Sequence, residues 1–176
     1  LLLQIMSEDG PTVAPKLSFN NEVGLPLTVL LADETTRHLV LEMGASGPGH
    51  ITYLTDIVAP DVAIELCVGH AHVGGFGGFE GVAAAKAELI KGTRPGGPVI
   101  LNTKIVGRHH VANALAAAAG ALTLGVGLET VASVLSRARA LSPHRMDVHE
   151  LRVDGTDLTL IDDSYNANLD SMRAGI

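Results

Sequence analysis

Short apolar runs rich in β-branched residues alternate with helical runs along the first hundred residues of this chain, a pattern typical of βαβ units. The predicted strands are residues 12–14, 37–43, 61–68 and 98–101. The predicted helices between them are residues 25–32, 50–59 and 79–91, and residues 1–6 read as part of a further helix. Because βαβ crossovers are right-handed almost without exception, we expect these strands to share one mainly parallel sheet with helices on both faces. The predicted fold class is α/β.

The pattern changes after residue 102. Two consecutive helices are predicted at residues 109–124 and 128–140, with a glycine-containing turn between them. Apolar and polar positions then alternate over residues 146–153 and 157–161, on either side of Asp154-Gly155. Asp-Gly is a preferred pair for tight turns between antiparallel strands, so this segment predicts a short β-hairpin near the C-terminus.

Composition narrows the class of protein. The chain has 176 residues, enough for one domain with a real core. A net charge of -7 with only 12 Lys and Arg argues against a broad nucleic-acid surface. Cys67 is the single cysteine, which excludes an internal disulfide and fits a reducing cytoplasm. Residues 111–128 are apolar, but their alanines and interrupting polar residues favour a buried helix over a membrane span. The oligomeric state stays open.

Several polar side chains stand where the predicted strands end. Glu42 closes an apolar strand, so its carboxylate either meets a cation, a metal or hydrogen-bond donors, or lies exposed in a loop. Glu65 is a charge within a core-like strand and indicates an edge position or a neutral carboxyl. Asp162-Asp163 begins a polar run that suits helix capping or the hydroxyls of a ribose. Arg145 is a fixed cation that suits a phosphate.

A glycine-rich loop at residues 74–78 lies between two histidines and a helix that carries Lys86 among alanines. His70 and His72 alternate, so only one of them points into the crevice beyond the strands, as a metal ligand or a simple hydrogen bonder. Lys86 is either desolvated and reactive or a solvated surface residue. With the hard oxygens of Glu42, which suit magnesium, the arrangement predicts half of an ATP site.

Six motifs stand in the order seen in the Mur ligases. They are Phe19-Asn20-Asn21 to Thr28, Leu41-Glu42-Met43-Gly44, Gly69-His70-Ala71-His72, Ala85-Lys86-Ala87-Glu88, His110-Val111-Ala112-Asn113 and Asp162-Asp163 to Asn168. The chain therefore resembles the central ATPase domain of that family over most of its length. The resemblance implies residues 1–168 as such a domain, incomplete at its N-terminus and shortened near 102–107, and residues 169–176 as the start of a C-terminal domain.

Within the family, the motifs are similar to those of enzymes that add D-alanyl-D-alanine to UDP-N-acetylmuramoyl-tripeptide. The resemblance implies ATP and Mg²⁺ as cofactors and an acyl phosphate on the tripeptide's terminal carboxylate, which the dipeptide's amine attacks. It assigns magnesium to Glu42 and His72, and a carbamate for a second magnesium to Lys86. It assigns adenine to Asn113, phosphate to Arg145, ribose to Asp163 and the substrate side to Asn20 and Asn21.

The chain also departs from the family pattern. No G-x-x-x-x-G-K-[ST] phosphate loop occurs in it. Cys67, Gly78 and Leu169 stand where the family usually has asparagine, serine and proline. These departures leave two alternatives open. One is a degenerate nucleotide-binding or scaffold module with the same fold, and the other is a related ligase that adds a different amino acid, against which Asn20-Asn21 argues.

Overall fold

The chain folds as an α/β protein whose parallel strand pairs are connected through helices. A computed structural model describes residues 1–66, 68, 74–101, 109–138, 147–162, 164–165 and 172. The helices are α1 Leu2–Asp9, α2 Gly24–Val29, α3 His50–Ile57, α4 Phe79–Gly92, α5 His109–Thr123 and α6 Leu128–Arg137. The strands are β1 Thr12–Val13, β2 His38–Leu39, β3 Ala63–Glu65, β4 Val99–Leu101, β5 Asp147–Val153 and β6 Thr156–Asp162.

Parallel pairing dominates the first half of the chain. β1 pairs with β2 and β3 pairs with β4, both in parallel, whereas β5 and β6 form an antiparallel pair. The α/β class and the C-terminal hairpin are confirmed. The expectation of one shared sheet is not met, because the described strands form three separate two-stranded ladders.

The observed strands are also shorter than predicted, most clearly at β2. The apolar pattern predicts a strand over residues 37–43, but β2 covers only His38–Leu39. The backbone N–H of Val40 still donates to the carbonyl of Val13 at 2.9 Å. Beyond that point the chain turns to another partner, since the N–H of Gly44 donates to the carbonyl of Asn20 at 2.7 Å. Glu42 therefore lies in a loop that follows the strand rather than at the strand's end.

The main core forms where α1 packs against α5 and α6. Ile5, Met6, Ala121 and Val131 are almost fully buried there. Helix α5 contributes an alanine-lined face to this core and exposes Leu115 and Leu122 on another side, so the predicted burial of this helix is met on its core-facing side only. No helix in the described ranges combines the length and apolar character that crossing a bilayer requires.

A second packed region joins α3 to α4 and supports the candidate site. Ile51 and Leu54 of α3 are buried, as are Val82 and Ala85 of α4. The helices approach closely at Gly92, where an added Cβ would lie 2.2 Å from the hydroxyl of Thr55. This packing holds α4, and with it Lys86, beside the loop that follows β2.

The C-terminal hairpin turns where the sequence predicts. Asp154 and Gly155 have φ angles of 49° and 80°, and positive φ at both positions is what a two-residue type I′ turn requires. Large apolar side chains of β5 and β6, such as Leu151 and Leu158, are exposed. In contrast to the helical core, the hairpin is held mainly by its own ladder of backbone hydrogen bonds.

Candidate functional site

A cavity of about 580 Å³ lies where the loops after β1 and β2 face helix α4. Its lining includes Asn20, Asn21, Glu42, Ser46, His50, Phe76 and Lys86. Four of these were candidate site residues from the sequence, namely Asn20, Asn21, Glu42 and Lys86. The fold therefore brings together motifs that are up to 66 positions apart in the chain.

One side of the cavity, the loop wall, is formed by Asn20, Glu42 and Gly44. The side-chain amide of Asn20 donates to Oε1 of Glu42 at 2.7 Å. The loops are also tied together through their backbones at Gly44, where an added Cβ would lie 2.9 Å from the Asn20 side chain. Glu42 is exposed to the cavity. The sequence predicted either a hydrogen-bond donor beside its carboxylate or exposure in a loop, and the structure shows both.

Asn21 has a different task from its neighbour. Its Oδ1 accepts the backbone N–H of Gly24 at 2.8 Å and that of Val23 at 3.2 Å. These donors lie at the start of α2, where backbone N–H groups lack partners within the helix. Gly24 is required because an added Cβ would lie 2.6 Å from Cα of Phe19. Asn21 therefore fixes the loop that presents Asn20 to Glu42.

The helix wall of the cavity is formed by Val82, Ala85 and Lys86 of α4, and Glu65 at the end of β3 is the ion-pair partner of Lys86. Nζ of Lys86 donates to Oε1 of Glu65 at 2.8 Å. The side chains of Lys86 and Glu65 are 33% and 14% exposed, so both charges are largely withdrawn from water. Among the described strands β3 pairs only with β4, so the edge position predicted for Glu65 agrees with the structure, and the ion pair gives this carboxylate a charged partner in addition.

Glu88, two residues after Lys86 on α4, anchors the start of α3. Its carboxylate accepts the backbone N–H groups of Gly49 at 2.7 Å and Thr52 at 3.0 Å. Burial alone would raise the pKa of Glu88, but these hydrogen bonds outweigh it and lower the pKa. The positive end of the α3 dipole is thereby matched by a carboxylate from α4.

The structure places the remaining candidates apart from this cavity or does not describe them. Asn113 is half-buried on α5 and is not part of the described cavity lining. His72, Arg145 and Asp163 lie outside the described residues, as do His70 and Cys67. The sequence reading missed Ser46 and His50, whose Oγ and Nδ1 are 3.1 Å apart. Their position on either side of a Gly-Pro-Gly turn directly after Glu42 was the available signal.

The donor set of the loop wall is suited to magnesium. Asn20 donates to Oε1 of Glu42, and a carboxylate accepts at both oxygens, so Glu42 keeps capacity for a hard cation. The residues that the structure describes contain no cluster of three or more His, Cys, Asp or Glu that could enclose a metal. Glu42 thus fits as one ligand of an open site, where substrate oxygens and water would supply others.

Comparison with known proteins identifies the fold. The family model for the Mur ligase middle domain matches residues 2–106. The chain therefore belongs to the Mur ligase family. A UDP-N-acetylmuramoyl-tripeptide–D-alanyl-D-alanine ligase from Mycobacterium bovis is 36% identical over an alignment that covers 100% of this chain and 45% of that ligase. The ligase of the same name from Bacillus subtilis is 32% identical, covering 90% of this chain and 45% of its own length.

Solved structures give the same result. A crystal structure of MurF from Acinetobacter baumannii superposes with a TM-score of 0.86 at 29% identity and covers 98% of this chain and 49% of that one. MurF ligase from Thermotoga maritima, solved in complex with ADP, has a TM-score of 0.79 at 24% identity, which shows the fold alone. This chain spans about half the length of the relatives that it matches.

Proposed function

We propose that this chain supplies the central domain of an ATP-dependent ligase that adds D-alanyl-D-alanine to UDP-N-acetylmuramoyl-tripeptide during peptidoglycan precursor synthesis. The observation that carries the proposal is the cavity in which Asn20, Glu42 and Lys86, drawn from three separate family motifs, converge. The names of the Mycobacterium and Bacillus relatives support the choice of substrates. A single cysteine is in keeping with a place in the cytoplasm.

The proposed reaction has two steps. An oxygen of the tripeptide's terminal carboxylate attacks the γ-phosphorus of ATP, and ADP leaves with the electrons of the broken P–O bond. The amine of D-alanyl-D-alanine then attacks the acyl carbon, loses a proton, and displaces phosphate as the amide forms. Because the protein forms no bond to the phosphoryl group, its contribution is positioning and stabilisation of charge.

The residues divide these tasks by position. Glu42 would hold magnesium, with His72 as a further ligand by family resemblance, and the ion would neutralise charge on the transferring phosphoryl group. Asn20 and Asn21 shape the substrate side of the cavity through the loop wall. Asn113, Arg145 and Asp163 are proposed contacts for adenine, phosphate and ribose, on the strength of the family resemblance.

The test is a ligation assay on the intact protein. UDP-N-acetylmuramoyl-tripeptide, D-alanyl-D-alanine and Mg·ATP are supplied together, and phosphate release is measured alongside the product mass. We expect phosphate release to require both substrates and to yield the pentapeptide product. Replacing D-alanyl-D-alanine by single amino acids tests for a related ligase, since turnover with one of those instead would contradict the substrate assignment.

A scaffold module with the same fold is the second candidate, and Cys67 and Gly78, which stand where the family usually has asparagine and serine, favour it. It predicts no phosphate release under any of these conditions. Calorimetric titration with Mg·ATP then separates the candidates further, because a ligase binds the nucleotide and a scaffold without nucleotide contacts does not.

A further inference from the structure

Lys86 of the helix wall is paired with a largely buried carboxylate that none of the proposed ligand contacts uses. Glu65 ends β3, in a run of otherwise apolar residues, and its side chain is only 14% exposed. Its one described ion-pair partner is the amine of Lys86, at 2.8 Å. A carboxylate in such a place is costly unless a cation accompanies it, so Lys86 and Glu65 depend on each other.

Carbamylation would change the charge of Lys86. The unprotonated amine attacks the carbon of CO2, a C–N bond forms, and the nitrogen releases its proton to solvent. The product is an anion whose oxygens extend from the position that Nζ occupied. In this chain that position is 2.8 Å from Oε1 of Glu65, so two negative groups would share a site that is largely withdrawn from water.

We infer that Glu65 keeps Lys86 as an ion-paired amine, so that Lys86 is not carbamylated in this protein and holds no second magnesium ion. The residues of the helix wall do not fit the carbamate that the family resemblance implies. Glu65 is a positioning residue in this account, because it acts on the cavity through Lys86. The inference rests on the proposed function in one respect: the carbamate is considered because the ligase family is expected to form one at this lysine.

The packing around α4 fixes the helix that carries Lys86. Ala85, next to Lys86, is 2% exposed, and Val82, one turn earlier, is 4% exposed, so α4 is fixed along this face. Two residues after Lys86, Glu88 is bound to the start of α3. Because the helix is held on these sides, separation of Lys86 from Glu65 requires a rotation of the Lys86 side chain, which would leave the carboxylate without its cation.

The test detects a carbamate directly and does not depend on turnover. The intact protein is equilibrated with ¹³C-bicarbonate and Mg²⁺, and ¹³C NMR reports a carbamate carbon. We compare the wild type with Glu65→Gln and Glu65→Val, and with each of these variants combined with Lys86→Arg. Circular dichroism checks that every variant is folded. Glu65→Gln keeps the shape and the acceptor oxygen of the side chain while removing its charge.

In the wild type we expect a Lys86-dependent carbamate signal no higher than background. In Glu65→Gln we expect a signal at least about tenfold above that background, which Lys86→Arg abolishes. A wild-type signal as strong as that of Glu65→Gln would overturn the inference. Absence of the signal from both folded Glu65 variants would overturn it as well, because Glu65 would then not be what prevents the modification. A protein that carries out no ligation still gives the same NMR result, so failure of the proposed function is distinguishable.

Discussion

The two walls of the cavity differ in whether their charged side chain has a partner of opposite charge. On the loop wall, Glu42 is exposed and receives one hydrogen bond from Asn20, which is uncharged. On the helix wall, the charge of Lys86 is already matched by Glu65. An exposed carboxylate with a neutral partner is available to a cation from solution, whereas an internal ion pair is not. Both walls carry family motifs, but only the loop wall has a carboxylate that is accessible to a metal ion.

The largest expected effect is on the loop wall. Glu42→Gln removes the charge that the proposed magnesium contact needs, and we expect ligation to slow by roughly 100-fold or more. Phosphate release with both substrates measures the change. Glu34→Gln, an exposed glutamate in the turn before β2, is the matched control and should retain full turnover. Equal ligation rates for Glu42→Gln and the wild type would show that Glu42 does not contribute to the reaction.

Breaking the helix wall should affect stability. Lys86→Met leaves the carboxylate of Glu65 without its cation, and we expect a loss of about 2 kcal/mol, less than for a fully buried pair because Lys86 is partly exposed. Glu65→Leu combined with Lys86→Met should recover most of the loss, since neither charge remains. Urea unfolding of the single and double variants completes the cycle. A double variant as unstable as Lys86→Met would show that the pair is not the cause.

A smaller effect sharpens the difference between two neighbouring asparagines. Asn20→Ala frees the carboxylate of Glu42 to rotate and should weaken magnesium binding by about tenfold. Asn21→Ala removes the acceptor at the start of α2 and should cost about 1 kcal/mol of stability, while weakening magnesium binding less than Asn20→Ala does, because its effect on Glu42 is indirect. Calorimetry with Mg²⁺ and a non-hydrolysable ATP analogue, together with urea unfolding, measures both. The reverse pattern would refute this division of roles.

The smallest expected effect is pH-dependent. The lowered pKa of Glu88 means that its carboxylate stabilises the fold above its ordinary pKa of about 4.3, and that this contribution is lost as the pH falls through the lowered value. Glu88→Gln should therefore cost about 1 kcal/mol at pH 7 and progressively less below pH ~4. Thermal unfolding across this range tests the trend. A cost that grows on acidification would contradict it.

Local features of the fold were predictable from the sequence. The turn at Asp154-Gly155 depends on two residues that tolerate positive φ, so the hairpin followed from turn chemistry together with the alternating pattern on either side of it. The strand over residues 37–43 was overestimated because an apolar run does not reveal where its ladder of hydrogen bonds ends. In the fold, Gly44 binds Asn20 rather than continuing the strand, and that choice depends on a loop more than twenty residues earlier.

The site was predictable as a set of residues but not as a set of contacts. Glu42, Lys86, Asn20 and Asn21 could be selected by motif. The Lys86–Glu65 pair could not, because it depends on which face α4 turns towards β3. The pattern of alanines around Lys86 indicated close packing but not its partner. Glu65 itself stood out as a charge in an apolar run, and that conflict with the local pattern was the available signal.

The most direct test of the contrast between the walls is a titration with Mn²⁺ followed by electron paramagnetic resonance, in the presence of ATP. Glu42→Gln and Lys86→Arg are compared with the wild type, since arginine keeps the pair with Glu65 but cannot be carbamylated. We expect Glu42→Gln to weaken Mn²⁺ binding by roughly 100-fold and Lys86→Arg to leave both affinity and stoichiometry unchanged. Loss of a bound ion in Lys86→Arg, or unchanged binding in Glu42→Gln, would contradict the account.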